Sequence, residues 1–467
     1  MSNLNNDILY LIFEELQDDD NTLYSCLLVN KTWCESTVPI LWKDPWKRLK
    51  NGKERSLLNV IISHLSKESR NNLGQHFDFL IESYQNSLFN YISFCRHLNL
   101  NEIQRIIDVE LVQEKSSILI IKSEIIKLFI NGNVSYKTLY IPQQLDCQIR
   151  LIPGTESCFS EIEFLSCHTN INNNILFGLI ETCKSIKQLE LIIEGNDNNY
   201  EIVKLIESAG NLFKISFINK CLYVNESFCK ILENSLIRHA NTIENFKIST
   251  KPLVTKVLSS FANLKRLELD NSYENLPWNC LNYSSLPCLQ FLYAKGVPIC
   301  ALTSLIASTS GQLIEIKIDH IPHEEIDNKR IIQAIYQKCP NLRYLKLMLR
   351  NRNILELKNL LVNCRNLSGL FIISNMVDTF GWDNLFEILT ETSPTSLFRF
   401  KFSFCYKPIK LEFLKFFFDN WKDRHSLVLQ LSRLDNIGNI GDLIEKYKAD
   451  GIIKKCNEVC GGDFEWI

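Results

Sequence analysis

The sequence predicts an α/β fold, a solenoid in which strands and helices alternate and successive units stack on one another. An apolar-x-x-apolar-x-apolar pattern recurs eleven times between Tyr136 and Phe402, at spacings of 21 to 31 residues. Helical patterns such as 330–339 and 359–364 lie between the copies. With 467 residues, the chain also exceeds a single compact core. Because one such unit cannot bury its apolar face alone, the units must stack.

Each copy has the layout of a short strand. The clearest copies are Leu264/Leu267/Leu269 and Leu342/Leu345/Leu347; the others begin at positions 136, 162, 186, 212, 243, 289, 313, 367 and 397. Alternation places the apolar residues on one face of the strand and the intervening residues on the other. Parallel strands joined by helices predict a horseshoe, with strands inside and helices outside. Cys183, Cys339 and Cys364 each precede a copy by three residues, where a small buried side chain closes the helix-to-strand turn.

This pattern resembles the leucine-rich repeat family, in its longer cysteine-containing form, over residues 134–434. The segment Leu427–Leu431 alternates like a strand but breaks the spacing, so we expect it to be a terminal unit. We expect residues 435–467 to form a capping segment, with a helix from Gly441 to about Val459 that covers the end of the core.

Composition narrows the classes of partner. A net charge of −2 argues against binding to nucleic acid or a membrane surface through bulk electrostatics. The most apolar stretch, 118–130, contains three charged residues and does not predict a membrane span. Seventeen cysteines occur without a secretory signal, and most sit at apolar positions, which favours a reducing cytoplasm or nucleus.

The first 46 residues carry a different signal. Apolar residues at helical spacing run along 4–16 and 23–29, and tryptophans follow at Trp33, Trp42 and Trp46. Asn5 or Asn6 can cap the first helix. Three short helices cannot bury this much apolar surface by themselves. The excess must pack either on the rest of the chain or on a partner.

These residues resemble an F-box. The matching segments are Leu4, Asp7–Leu9, Ile12–Phe13, Leu16, the block Cys26-Leu-Leu-Val-Asn-Lys-Thr-Trp33 and the closing Leu41-Trp42. The departure is Asn5, where the family prefers proline; asparagine remains a competent cap. The resemblance covers about a tenth of the chain.

The F-box resemblance implies a non-enzymatic role. Such proteins dock on the Skp-type adaptor of a cullin-RING ubiquitin ligase, and their C-terminal repeats select a protein substrate. The implied adaptor-binding residues, as contacts or as supports for contacts, are Leu4, Ile8, Leu9, Ile12, Phe13, Leu16, Leu27, Val29, Trp33, Leu41 and Trp42. Residues 47–133 would form a helical connector. The alternative is a repeat scaffold without a ligase, whose N-terminal helices cap the solenoid.

Residues between the apolar strand positions are the candidate substrate contacts, because they face away from the helices. They are Arg266, Phe291, Tyr293, Lys317, Tyr344, Lys346, Phe371, Arg399 and Lys401. Aromatic and basic side chains of this kind suit an acidic or phosphorylated peptide.

The sequence does not favour a metal site or a catalytic site. The pair His320/His323 encloses Pro322, which excludes a helical ligand pair, and Cys456/Cys460 has no second pair at zinc-finger spacing. The sequence has no phosphate loop and no nucleophile-elbow motif. No cysteine has an evident basic partner in sequence, which disfavours a catalytic ubiquitin-transferring thiol. We therefore expect neither a metal nor a cofactor.

Overall fold

The computed structural model describes residues 5–74, 87–111, 118–145, 148–195, 197–221, 225–249, 253–271, 278–319, 324–374, 380–403, 409–431 and 440–458. The chain divides into two compact units, Met1–Ile215 (unit 1) and Ser216–Ile467 (unit 2). The division falls within the repeats, whereas the sequence placed its boundaries after residues 46, 133 and 434.

Parallel strands in chain order form the sheet of each unit, as the repeat pattern predicts. In unit 1 the strands are β1 (His97–Asn99), β2 (Thr138–Tyr140), β3 (Phe164–His168) and β4 (Gln188–Ile193). Strand β5 (Lys214–Asn219) crosses the boundary between the units. In unit 2 they are β6 (Asn245–Ser249), β7 (Arg266–Asp270), β8 (Phe291–Lys295), β9 (Glu315–Asp319), β10 (Tyr344–Leu349), β11 (Gly369–Ser374), β12 (Arg399–Ser403), β13 (Leu427–Leu431) and β14 (Ile453–Glu458).

The strand register follows the repeat alignment. The middle apolar position of each copy pairs with the same position of the next copy, as in Leu267 with Leu292 and Leu345 with Leu370. These side chains are fully buried. A slip of one residue would turn every apolar side chain to the other face, so burial of one face holds the register. The predicted leucine-rich repeat solenoid is confirmed as the fold class.

Helices connect most strands. They are α1 (Asn6–Glu15), α2 (Asp20–Cys26), α3 (Lys31–Lys43), α4 (Glu54–Ser63), α5 (Lys67–Gly74), α6 (Leu100–Glu110), α7 (Ile118–Phe129), α8 (Thr155–Phe159), α9 (Asn173–Thr182) and α10 (Ile202–Ser208) in unit 1. Unit 2 contains α11 (Glu226–Ser235), α12 (Ile299–Ala307), α13 (Glu325–Lys338), α14 (Ile354–Asn363), α15 (Trp382–Thr392), α16 (Leu411–Asp419) and α17 (Ile440–Ala449). From α12 to α17, each helix packs on the next one along the chain.

Cysteine closes three helix-to-strand turns. Cys183, Cys339 and Cys364 occupy the C-cap positions of α9, α13 and α14, and each is fully buried. This placement confirms the prediction from their spacing. Between β6 and β8 the described residues of the connections form short 3₁₀ helices instead, Val257–Ser260 and Asn279–Tyr283.

The repeats begin earlier than residue 134. Strand β1 belongs to a further copy of the pattern, formed by Cys95, Leu98 and Leu100, and all three side chains are fully buried. Its strand pairs in parallel with β2. The segment 47–133 is therefore helical only in part. The copy escapes the sequence pattern because it begins 41 residues before the copy at Tyr136, outside the spacing of 21 to 31.

The C-terminal segment also differs from the expected helix. Leu427–Leu431 is a strand of the sheet, as predicted. The helix that follows ends at Ala449, and Gly451 adopts a positive φ of 74°. Because glycine enters this left-handed region without steric cost, it ends the helix there. Residues 453–458 then form β14 against β13 instead of continuing the helix.

Candidate protein-binding surfaces

The N-terminal three-helix unit, α1 to α3, has a small core of its own. Asparagine or aspartate side chains cap each helix at Asn5, Asp19 and Asn30. The core consists of Leu9, Phe13, Leu23, Cys26, Ile40 and Leu41, with Leu16, Leu27, Trp33 and Trp42 packed against it. The rings of Phe13 and Trp33 meet edge to face, with centroids 5.2 Å apart. The helices therefore hold one another in place.

Five aliphatic side chains remain outside this core, and we call them the docking patch: Ile8, Leu11, Ile12, Leu28 and Val29. The first three lie at i, i+3 and i+4 on α1, where Leu11 is 61% exposed. The last two follow α2, where Leu28 is 88% exposed. Seven of the twenty exposed large hydrophobic residues in the described part of the chain fall within positions 8–29. Concentration of this kind marks an interaction surface, whereas isolated exposed leucines do not.

The three tryptophans, in contrast, serve the chain itself. Trp33 packs within the three-helix core, and Trp42 lies 4.6 Å from Tyr91 between ring centroids. Trp46 is buried, and its indole N–H donates to the carbonyl oxygen of His97 in β1 at 2.7 Å. The end of α3 and the residues after it thus join the helices to the start of the sheet.

Ion pairs fasten the α1–α2 loop to the end of α3. Lys47 pairs with Asp18 at 2.7 Å, and Arg48 pairs with Asp20 at 2.6 Å. A hydrogen bond from Lys47 and its positive charge lower the pKa of Asp18. Lys43 adds a pair to Glu14 at 3.2 Å. These contacts orient α1 and therefore the patch that it carries.

The predicted adaptor-binding residues that the structure describes separate into three groups by exposure. Ile8, Ile12 and Val29 are exposed, whereas Leu9, Phe13 and Leu41 are buried inside the unit. Leu16, Leu27, Trp33 and Trp42 are partly buried against the core. The buried residues act as supports and do not form the surface. Leu4 lies outside the described residues.

Sequence reasoning missed Leu11 and Leu28, the two most exposed members of the patch. Residues 8–13 are apolar without interruption, so periodicity alone does not identify the outward face of α1. Leu28 belongs to the apolar run 23–29 that the sequence predicts as helical, whereas α2 ends at Cys26 and leaves Leu28 in the turn before α3. A helical projection of α1, with Leu9 and Phe13 taken as the buried face, would have found Leu11.

The open face of the sheet in unit 2 carries the predicted substrate residues. Strand register aligns them in two rows: Arg266, Phe291, Tyr344 and Arg399 in one, and Tyr293, Lys317, Lys346, Phe371 and Lys401 in the other. The register therefore brings all nine residues into neighbouring rows of one sheet. Glu315 lies between Phe291 and Tyr344 in the first row, and sequence reasoning left it out.

Arginine and lysine side chains lie over aromatic rings on this face. The Arg266 guanidinium lies 4.4 Å from the centroid of Phe291 and 5.0 Å from that of Tyr293. The ammonium of Lys317 lies 4.5 Å from the same tyrosine ring and 2.8 Å from Glu315. Burial and the nearby Glu315 carboxylate raise the pKa of Tyr293, so its hydroxyl remains protonated near neutral pH. These partly exposed groups present both hydrogen-bond donors and aromatic surface.

Three of the nine predicted residues are buried and are not available to a partner in this arrangement. The ammonium groups of Lys346 and Lys401 lie 4.9 Å and 4.5 Å from the ring centroid of Phe371. Lys346 also pairs with Asp319 at 2.5 Å. Cation–π and ion-pair contacts offset the desolvation of these lysines. For these three, the expected direct contact with substrate is corrected to a structural role.

Neither a metal site nor a membrane-spanning helix is found among the described residues. Among them, no group of three or more His, Cys, Asp or Glu side chains is arranged to hold a metal ion. His320, His323 and Cys460 lie outside the described residues, and burial raises the pKa of Cys456 to about 11. No described helix is both long and apolar enough to cross a bilayer.

No known protein family and no curated protein sequence matches the chain. Among solved structures, the chain is similar to one chain of the Rad7–Elc1 complex from yeast, with 13% identity and a TM-score of 0.41; the match covers 83% of this chain and 91% of that one. It is also similar to the leucine-rich repeat-containing protein LegL7 from Legionella pneumophila, with 13% identity and a TM-score of 0.34 over 63% of this chain and 90% of that one.

Proposed function

We propose that this chain is the non-catalytic substrate-recognition subunit of a Skp–cullin–F-box ubiquitin ligase. The three-helix unit would dock the Skp-type adaptor, and the repeats would bind a protein substrate. The observation that carries the proposal is the docking patch, which lies on a unit whose core is complete without it. The patch shares positions with the F-box pattern at Ile12 and in the Leu28-Val29 pair.

Energetics support a partner over a solvated surface. Full burial of one leucine or isoleucine side chain is worth about 1.5–3 kcal/mol relative to exposure. Five such side chains on one small unit therefore offer a partner several kcal/mol, enough to offset part of the cost of association. If α1 faced only solvent, polar residues at positions 11 and 12 would favour the helix equally well and would expose no apolar surface. Leu11 and Ile12 are therefore better explained by a partner that covers them.

A second candidate function follows from Trp46. Since its indole bonds to β1, the N-terminal unit also serves as a cap of the repeats, as a scaffold without a ligase requires. The two functions differ in the docking patch, which a cap leaves unexplained. Deleting residues 1–46 therefore does not discriminate between them, because both predict damage to the first repeats.

A surface substitution discriminates. The full chain is mixed with a purified Skp-type adaptor and analysed by size-exclusion chromatography, alongside Ile12→Asp and the control Leu119→Asp, whose leucine is exposed on α7. We expect the wild type and the control to co-elute with the adaptor, and Ile12→Asp to elute alone with an unchanged circular dichroism spectrum. Failure of the wild type to bind would reject the ligase proposal and leave the scaffold.

Substrate binding is assigned to the partly exposed residues of the open face in unit 2. Affinity capture with mass spectrometry, using wild type and Phe291→Ala together with Tyr293→Ala, would identify proteins lost from the variant but not from a docking-patch variant. A substrate must also be ubiquitinated by the assembled ligase.

A thioester assay with charged donor enzyme tests the non-catalytic role, since transfer of ubiquitin to any cysteine of this chain would contradict it. Cytoplasmic or nuclear location is part of the same proposal.

A further inference from the structure

A groove of about 470 Å³ opens beside the docking patch, between the three-helix unit and α4. Its walls are apolar, with Leu27 and Trp42 on one side and Leu57 and Val60 of α4 on the other. Tyr91 lies at its base against Trp42. All the residues that line the groove belong to unit 1. We call it the basic groove because lysine and arginine side chains are among the residues that line it.

The rim of the groove is positively charged. Lys50 and Lys53 line it, both are exposed, and neither has a carboxylate within 4.0 Å among the described residues. Arg48, also at the rim, is already paired with Asp20. The nearest acid along the chain, Glu54, is directed to Arg105, at 3.4 Å. The groove thus combines an apolar floor with two lysines that no described carboxylate neutralises.

The groove and the docking patch adjoin along the chain. Tyr24 and Leu27 line the groove, and Leu28 and Val29 follow immediately in the patch. A partner that covers the patch therefore reaches the edge of the groove. Apolar walls with a basic rim are complementary to an apolar segment that carries carboxylates at its edge.

We propose that the basic groove binds an apolar segment of the adaptor that is flanked by aspartate or glutamate. This inference rests on the proposed function, and it extends the adaptor interface beyond residue 46 onto α4. The segment would bury its apolar side chains against Leu57, Val60 and Trp42, and its carboxylates would face Lys50 and Lys53.

Photo-crosslinking tests the position of the segment. Benzoylphenylalanine is placed at Val60 and, in a second variant, at Leu28 of the full chain, and each variant is mixed with a purified Skp-type adaptor and irradiated. We expect an adduct whose adaptor peptide contains apolar residues next to Asp or Glu. An adduct at Leu28 but none at Val60, or an adduct to a peptide without acidic residues, would overturn the inference while leaving the proposed function intact.

Charge reversal tests the rim. We expect Lys50→Glu with Lys53→Glu to weaken adaptor binding about tenfold at low salt, with a smaller difference at high salt. The matched control is Lys67→Glu with Lys184→Glu, two exposed lysines of unit 1 that do not line the groove. Equal weakening by both pairs would contradict a specific site, and no binding by the wild type would reject the proposed function itself. A small apolar ligand retained by the purified chain in native mass spectrometry would also overturn the proposal, because it would occupy the groove instead.

Discussion

Replacing Leu11 and Leu28 by serine tests adaptor binding without removing residues that the fold of the three-helix unit needs. The two side chains are 61% and 88% exposed, so their loss removes little packing from the unit itself. If an adaptor buries them, each contributes in proportion to its exposed fraction. Taking about 2 kcal/mol for full burial of a leucine, the contributions are about 1.2 and 1.8 kcal/mol. The pair together is worth about 3 kcal/mol, or a factor of roughly 150 in Kd.

The assay is isothermal titration calorimetry of each variant against a purified Skp-type adaptor, with a circular dichroism melt of the same sample. We expect the double variant to bind roughly 150-fold more weakly and to melt within a degree or two of the wild type. Leu119→Ser with Leu355→Ser removes two exposed leucines elsewhere and serves as the control. An unchanged Kd, or equal weakening by the control, would refute the assignment of the patch.

Truncation of a core residue would not distinguish a loss of adaptor binding from a loss of folding. Phe13 is 1% exposed and packs on Trp33, so Phe13→Ala is expected to cost about 3–5 kcal/mol of folding free energy. Any loss of adaptor binding would then follow from loss of the three-helix unit. Exposed residues are therefore the informative targets.

Three further predictions concern stability and reactivity. Gly296→Ala should lower the free energy of unfolding by more than about 2 kcal/mol in urea titration, because its φ is 67° and the added Cβ meets a backbone carbonyl; Gly52→Ala, at 81° in open space, should cost less. Trp46→Phe removes the indole bond to β1 and should cost about 1 kcal/mol by the same titration. Cys300 is exposed and should react with iodoacetamide in the native protein at pH 8, whereas Cys167, whose pKa burial raises to about 12, should react only after unfolding. Equal costs for the two glycine variants, an unchanged Trp46→Phe variant or rapid labelling of Cys167 would each contradict the structure.

Much of the repeat architecture was predictable, because the regular spacing of apolar residues is a property of the sequence that does not depend on how the repeats pack. Paired positions such as Leu267 and Leu292 follow from the alignment of the copies. The copy at Cys95 was missed because 41 residues separate it from the next copy at Tyr136, so it falls outside the period of the others. Strand β14 was missed because its alternation is weak and a helix precedes it directly.

The sequence by itself determined the α/β class, the parallel order of the strands and the face of the sheet that the candidate substrate residues share. Only tertiary structure decided which of these residues are reachable. Lys346 and Lys401 alternate like solvated residues, yet both are buried around Phe371, because a neighbouring strand supplies this ring to both and Asp319 supplies a carboxylate to Lys346. In the same way, residues 8–13 are apolar throughout, and only the packing of α1 against α2 and α3 selects Leu9 and Phe13 for the core and leaves Leu11 outside. A local pattern sets what a segment can bury, whereas the neighbours that pack on it set which side is buried.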